Sequence, residues 1–230
     1  MSKQNKAVLL PGTFFEKDIQ KKLDYLNQKN LETVYVFDHS NNPVDTKLAM
    51  YEIRNSINLL QNYEERKFNI GTAVLNINKR KIDNLINKYI NPFLEIDGFK
   101  LGLGLGDDKY EKNLPNFSNN LEEVLSYIVE NFKLSKDGKS IFLGGQSNLI
   151  INTMKKYSVG INQWLGSVDS LYKKKEMFNK IDKPLGSISL CLNKKLVSRK
   201  NIDFEDIELI YIINESSSDN FYSQVDNFLL

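Results

Sequence analysis

Two hydrophobic periods take turns along the chain. The first is a set of short apolar, β-branched or aromatic runs: Ala7–Gly12 (AVLLPG, closed by its Pro-Gly), Thr33–Phe37 (TVYVF), Phe68–Leu75, Phe99–Gly106, Ser140–Leu143 (SIFL), Gly160–Leu165 (GINQWL), Leu185–Leu192 (LGSISLCL) and Ile207–Ile213 (IELIYII). Runs of this length and composition, bounded by turn residues, predict buried strands. Between them, apolar residues recur three and four apart, as in Phe15, Ile19, Leu23 and Leu26, or Leu121, Val124, Leu125, Ile128 and Phe132. That spacing puts one apolar stripe along a helix. Helices are predicted over Phe14–Lys29, Asp45–Leu60, Leu121–Phe132, Asn148–Tyr157, Val168–Lys180 and Ser216–Leu230, with Asp45 or Thr46 capping the second. Another carries Ile82, Leu85, Ile86, Tyr89 and Ile90, and Pro92 is expected to end or kink it. Lys194–Phe204, where the seventh crossover belongs, is polar and holds one helical turn at most.

Strands that alternate with helices predict a parallel sheet with helical crossovers. Eight such units in 230 residues fit an α/β fold of the (β/α)8 TIM-barrel kind, whose length runs from ~200 to ~250 residues and beyond. An open doubly wound sheet is the alternative. In so short a chain it would leave its edges poorly covered, and the closed barrel is the expectation. No interdomain linker or longer internal repeat is visible, so residues 1–230 are read as a single domain.

The fourth strand has a pattern of its own. Leu101, Leu103 and Leu105 fall on one face, and Gly102, Gly104 and Gly106 on the other. Glycine weakens a strand, so three on one face imply that something bulky lies against it. The following Asp107 and Asp108 sit at the carboxyl end of the strand.

Composition narrows the picture little. The chain is 41% hydrophobic and 26% charged with a net charge of +2, an ordinary globular balance that argues neither for nor against a nucleic-acid partner. A run such as Lys173–Lys175 on a helix is usually a solvated face, and that is the expectation here. A single cysteine, Cys191, excludes an intrachain disulfide framework and suits a cytoplasmic setting. Its apolar surroundings predict a buried, inert thiol. No apolar stretch is long enough to span a bilayer, and no secretory signal is seen.

In a parallel barrel, ligands bind where the strands end. Those ends are Pro11–Thr13, Asp38–Ser40, Ala73–Asn76, Gly106–Asp108, Gly144–Ser147, Trp164–Ser167, Asn193 and Asn214–Glu215. Gly144-Gly145-Gln146-Ser147 leaves a strand and opens a helix, where unpaired N–H groups favour an anion and glycine admits close approach. A tight turn alone would also explain it. Neither glycine cluster has the spacing of a dinucleotide fingerprint or a P-loop. His39 is the one histidine, and at a strand end it can act as acid, base or hydrogen-bond donor. With one His and one Cys, no metal site is expected.

At these same residues the chain resembles the bacterial-luciferase-like superfamily, and most nearly its deazaflavin members, methylenetetrahydromethanopterin reductase and coenzyme F420-dependent glucose-6-phosphate dehydrogenase. The motifs are Asp38-His39, GTAVLNINKR (Gly71–Arg80), LGLGLGD (Leu101–Asp107), IFLGGQS (Ile141–Ser147) and GINQWLGSVDSL (Gly160–Leu171). Each is weak alone; five in order at strand ends are more specific. The resemblance implies a barrel that holds FMN or coenzyme F420 at its mouth. It implies Asp38 and His39 as catalytic residues, and Thr72, Ala73, Val74, Gly104, Gly106, Gly144, Gly145 and Gln146 as cofactor-binding ones. Ala73 and Val74 would be joined by a non-prolyl cis peptide. Hydride transfer or flavin-dependent monooxygenation of a small-molecule substrate is the implied chemistry, with no nucleic-acid or membrane partner and room for a homodimer.

The chain also departs from the family. The segment from Gly106 to Ser140 is short and lacks the usual insertion, and a glutamate that some relatives carry near the end of the first strand aligns with Val8. Two classes therefore stand side by side: a flavin- or deazaflavin-dependent oxidoreductase, and a non-catalytic flavin-binding barrel or partner subunit.

Overall fold

Every one of the eight apolar runs becomes a strand, and the strands close on themselves. The computed structural model describes residues 5–42, 45–48, 50–106, 111, 120–134, 138–193, 205–215 and 220–229. Strands β1 (Lys6–Leu9), β2 (Thr33–Val36), β3 (Asn69–Asn76), β4 (Lys100–Gly104), β5 (Ser140–Gly144), β6 (Gly160–Trp164), β7 (Ile188–Leu192) and β8 (Ile207–Ile212) pair in parallel in sequence order. β8 then returns to β1, which makes a closed barrel. Helices α1 (Ile19–Gln28), α2 (Ile53–Gln61), α3 (Ile82–Leu85), α4 (Asn91–Leu94), α5 (Asn120–Asn131), α6 (Asn148–Tyr157) and α7 (Val168–Phe178) lie between strands, and Phe221–Leu229 forms the closing helix. Among the described residues, no helix is long and apolar enough to cross a membrane.

Alternation along each strand sorts the side chains into two cores. Val8, Val34, Val36, Ile141, Leu143, Ile161, Ile188, Leu190 and Leu192 face outwards and join the helices in one large apolar layer. Ala7, Leu9, Tyr35, Ala73, Phe142, Cys191 and Ile210 form a second cluster inside the barrel. Leu101 and Leu103 belong to the outer layer. Gly102 between them faces inwards, where a Cβ would run into the Thr72 carbonyl and stand 2.5 Å from the Phe142 ring. The bulk implied by the glycine face is thus Phe142, and higher up it is Val74.

The barrel floor is polar. Lys100 donates to Glu208 Oε1 at 2.9 Å, and the Tyr35 hydroxyl donates to Glu208 Oε2 at 2.9 Å, all buried. A buried carboxylate is tolerated when its charge is paired and its lone pairs are filled. Burial, helped by Glu208, holds the Tyr35 phenol well above its ordinary pKa. Tyr35 and Phe142 meet edge to face at 5.9 Å above it. Cys191 also lies inside, against Asn162, and burial pushes its thiol up to about 12, so it is inert as expected.

Three helices depart from the sequence-based expectation. The first begins at Ile19 rather than at Phe14, after a separate 3-10 turn over Gly12–Phe15. The second helix begins at Ile53 rather than at Asp45, and Glu52 caps it by accepting from Arg54 N and Asn55 N. The Asp45 carboxylate is engaged locally, accepting from Lys47 N at 2.9 Å, and such short side-chain-to-backbone bonds compete with helix formation. Pro92 neither ends nor breaks its helix. A π-helical turn over Ile86–Ile90, with Asn91 N–H reaching the Ile86 carbonyl five residues back, joins α3 to α4 and sets Pro92 in a first turn, where its missing N–H costs nothing. Asp107, Asp108 and Lys194–Phe204 lie outside the described residues, as does part of the segment between Gly106 and Ser140.

Candidate functional site

The carboxyl ends of the strands surround a cavity of about 640 Å3. Leu9, Val74 and Ile212 line it, and Gly104, Gly106, Gly144 and Gly145 bare a stretch of backbone. His39, Asn76, Glu111, Asn162, Asn193, Asn214 and Glu215 supply its polar groups. Trp164, 51% exposed, stands at the rim.

The β3 edge is shaped by one extra residue. Thr72 pairs with Leu101 and Leu75 with Leu103, so three steps on β3 oppose two on β4. Such a bulge re-aims side chains, and here it carries Ala73 and Val74 onto the cavity. Their peptide is cis, as the resemblance implies. Val74 lies against two glycines of the neighbouring strands. A Cβ on Gly144 would come 2.8 Å from Val74 Cγ1, and one on Gly104 closer still. Thr72 itself is not in the cavity lining. Its buried hydroxyl donates to the Gly102 carbonyl at 2.9 Å and accepts from Gly102 N at 3.1 Å, clasping β3 to β4 at the foot of the bulge.

Asp38 and His39 are neighbours with different surroundings. Asp38 is buried outside the cavity lining, where both oxygens accept from the Arg80 guanidinium and one also accepts from Lys79 at 2.9 Å. Asn76 N donates to it as well, at 3.2 Å. Arg80 lies over the Tyr89 ring at 3.9 Å. Burial would lower the Arg80 pKa, but the Asp38 hydrogen bonds and charge more than offset this and raise it. Lys79 further donates to the His39 carbonyl at 3.0 Å, which fixes the backbone of the loop. Asp38 is therefore the anchor of this loop, and His39 is the residue it presents.

His39 lines the cavity with its side chain 28% exposed, and its Nδ1 is 2.5 Å from Oε1 of Glu111, whose side chain is 2% exposed. The other carboxylate oxygen accepts from Ser40 N and Ser40 Oγ, each at 3.1 Å. Burial alone would push the Glu111 carboxyl up, but hydrogen bonding and charge from His39, with Asn76 and Ser40, hold it below its ordinary value. Against an ionised carboxylate, Nδ1 is the donor of this pair. Glu111 was not singled out from sequence. It stands in a polar stretch of sequence without periodicity, and the need of a strand-end histidine for a carboxylate partner is the one signal that could have found it.

On another side of the cavity, Ser147 caps α6 by accepting from Ile150 N at 3.3 Å. Gly145 has φ +129, a conformation that L side chains rarely adopt. Its carbonyl accepts from Lys174 of α7 at 3.2 Å. Glu215 closes a further corner, accepting from Thr13 N at 2.5 Å and from Asn42 Nδ2 at 2.9 Å. Of the residues expected from sequence, His39, Ala73, Val74, Gly104, Gly106, Gly144, Gly145 and Gln146 all line this one cavity. Val8 faces the helix layer, where no side chain could reach a ligand in the barrel mouth. Among the described residues, no three His, Cys, Asp or Glu side chains gather to hold a metal ion.

No protein-family model matches the chain, and no curated protein matches it. Solved structures do resemble it. An F420-dependent secondary alcohol dehydrogenase, in complex with an F420–acetone adduct, has a TM-score of 0.62 at 12% identity, over 83% of this chain and 69% of the other. The coenzyme F420-dependent tetrahydromethanopterin reductase of Methanopyrus kandleri has a TM-score of 0.57 at 12% identity, over 84% of this chain and 68% of the other. The oxygenating constituent of 3,6-diketocamphane monooxygenase from Pseudomonas putida, in complex with FMN, has a TM-score of 0.51 at 11% identity, over 81% and 67%. At these identities the shared property is the fold.

Proposed function

We propose that the protein is a flavin- or deazaflavin-dependent oxidoreductase acting on a small organic substrate, with FMN or coenzyme F420 held in the cavity. The observation that carries this reading is that one cavity joins three distinct features. It has an apolar floor and bared glycine backbone around Val74, a histidine–carboxylate pair at His39 and Glu111, and a helix start at Gly144–Ser147. A volume of about 640 Å3 suits a cofactor-sized ligand together with a small substrate. The fold neighbours that bind F420 and FMN support the same reading.

The residues that would hold the cofactor are Ala73, Val74, Gly104 and Gly106 beside its apolar part and Gly144, Gly145 and Gln146 at its phosphate. When bound, it supplies hydride acceptance and donation. His39 holds or moves a proton at Nε2 of its ring. Glu111 keeps the tautomer by accepting from Nδ1, and the loop anchored by Asp38 keeps both in place. Hydride transfer needs no more from the protein than orientation, exclusion of water and a positioned proton.

Titration of the purified protein with FMN, riboflavin and coenzyme F420, followed by absorbance and fluorescence, tests the reading. Saturable binding of FMN or F420 is expected, and a protein that binds neither sinks it. Gly145→Ala should weaken the binding of FMN about tenfold, because φ +129 strains any L side chain and the new Cβ would lie 3.2 Å from Ile150 Cγ1. Riboflavin, which lacks the phosphate, should be affected little. Equal losses for the two ligands would remove Gly145 from the phosphate end.

A further inference from the structure

Behind the Gly144–Ser147 loop lies a buried cation that the site as described does not use. Lys174 of α7 is only 4% exposed, and its one hydrogen bond among those described is the 3.2 Å contact with the Gly145 carbonyl. An ammonium has three donors, and among the described residues no carboxylate pairs with this one. Burying a charge without a counter-charge is costly, and burial lowers its pKa to about 8. The loop brings no titratable group near it. Of the two strands against which α7 packs, β6 brings none, and β7 brings only Cys191, which lies inside the barrel on Asn162. On α7 itself Asp169 lies in the first turn, Tyr172 stands two residues before Lys174, and Lys173, Lys175 and Glu176 flank it.

The contact also fixes a direction. The carbonyl of one residue and the N–H of the next point opposite ways in a trans peptide. Gly145–Gln146 is trans, and its carbonyl is turned to α7. The Gln146 N–H is therefore turned away from α7, and Gln146 itself lines the cavity. This N–H joins the unpaired N–H groups of the first turn of α6, which begins at Asn148 after its Ser147 cap.

We propose that Lys174 is a positioning residue for an oxyanion subsite at the Gly144–Ser147 end of the cavity, holding the Gly145–Gln146 peptide with its N–H inwards and supplying positive charge from behind it. The subsite takes a phosphate monoester or another tetrahedral oxyanion. The inference rests on the proposed function only in assigning that group to the cofactor.

Sulfate is the test probe, because it does not titrate between pH 6 and pH 9. Amide NMR shifts of Gly145, Gln146 and Ser147 report its binding to the whole protein. In the wild type, affinity should fall about tenfold from pH 7 to pH 9, since the ammonium is charged below about 8 and neutral above it. Lys174→Met should lose about tenfold at pH 7 and show no pH dependence, and Lys174→Arg should keep its affinity at pH 9. A wild type with no sulfate shifts at these amides overturns the proposal, and so does one with a flat pH profile, whether or not Lys174→Met folds. Sulfate behaviour as expected, with neither FMN nor F420 bound, would remove the cofactor assignment and leave the subsite standing. FMN bound without a sulfate response would do the reverse.

Discussion

Replacing His39 with alanine is expected to lower turnover about 10²–10⁴-fold, the range of a positioned acid–base group, while cofactor affinity should move far less. The imidazole is held at Nδ1 by Glu111 and lies beside the Phe37 ring, and it is partly exposed to the cavity, so its loss should leave the core intact. Glu111→Gln keeps a hydrogen-bond acceptor beside Nδ1 but removes the charge that fixes the tautomer, and it should show a smaller loss of the same kind. The Glu111 carboxyl is held below its ordinary pKa. Its contribution to stability is thus complete above an unfolded value of ~4.3 and disappears as pH falls through the lower folded value. The measurement is reduction of bound cofactor by a panel of hydride donors, with cofactor titration run in parallel on each variant. Undiminished turnover in His39→Ala would take the residue out of the mechanism. A wild type that binds cofactor and reduces nothing would favour the non-catalytic barrel.

Asp38→Asn should act on the fold instead. Its carboxylate is buried between Arg80 and Lys79, and Asn76 N completes its coordination. Removing one partner of a buried ion pair costs about 3–5 kcal/mol, because the remaining charge is stranded. For a chain of this size that is a drop in Tm of roughly 6–20 °C. The double change Asp38→Leu with Arg80→Met, which removes both charges, should be less harmful than the sum of its parts. Calorimetry on the three variants decides this. An unchanged Tm in Asp38→Asn together with a large loss of turnover would return Asp38 to the chemistry, where the family resemblance puts it.

These two neighbours show what sequence could and could not convey. Strand and helix order was legible because burial on both faces of a barrel strand, and on one stripe of each helix, writes itself into apolar spacing. The glycines of β4 could be read as room for something bulky, and Val74 and Phe142 turned out to occupy it. The Asp38-His39 dipeptide placed a loop at a strand end but not the direction of either side chain. That depends on Lys79 and Arg80, which only the folded chain brings to Asp38. Glu111 and Lys174 were illegible for a related reason. Each acts through a contact with a residue distant in sequence, His39 in one case and Gly145 in the other, and no local period marks such a pairing. The late start of α2 and the passage of Pro92 through a helix reflect competition between local hydrogen bonds, which propensity alone does not rank.

The Lys100–Glu208–Tyr35 cluster has a kinetic meaning. With Tyr35 and Phe142 filling the middle of the barrel above it, the interior is a cup with a sealed base. Among the described residues, access to the cavity is then from the strand ends, and a molecule resting on Leu9, Val74 and Ile212 would be covered by whatever entered after it. Loading would then run from the bottom up and emptying from the top down. A carrier that had to exchange in every cycle would wait for the departing product, whereas one that stayed at the base could serve a succession of visitors.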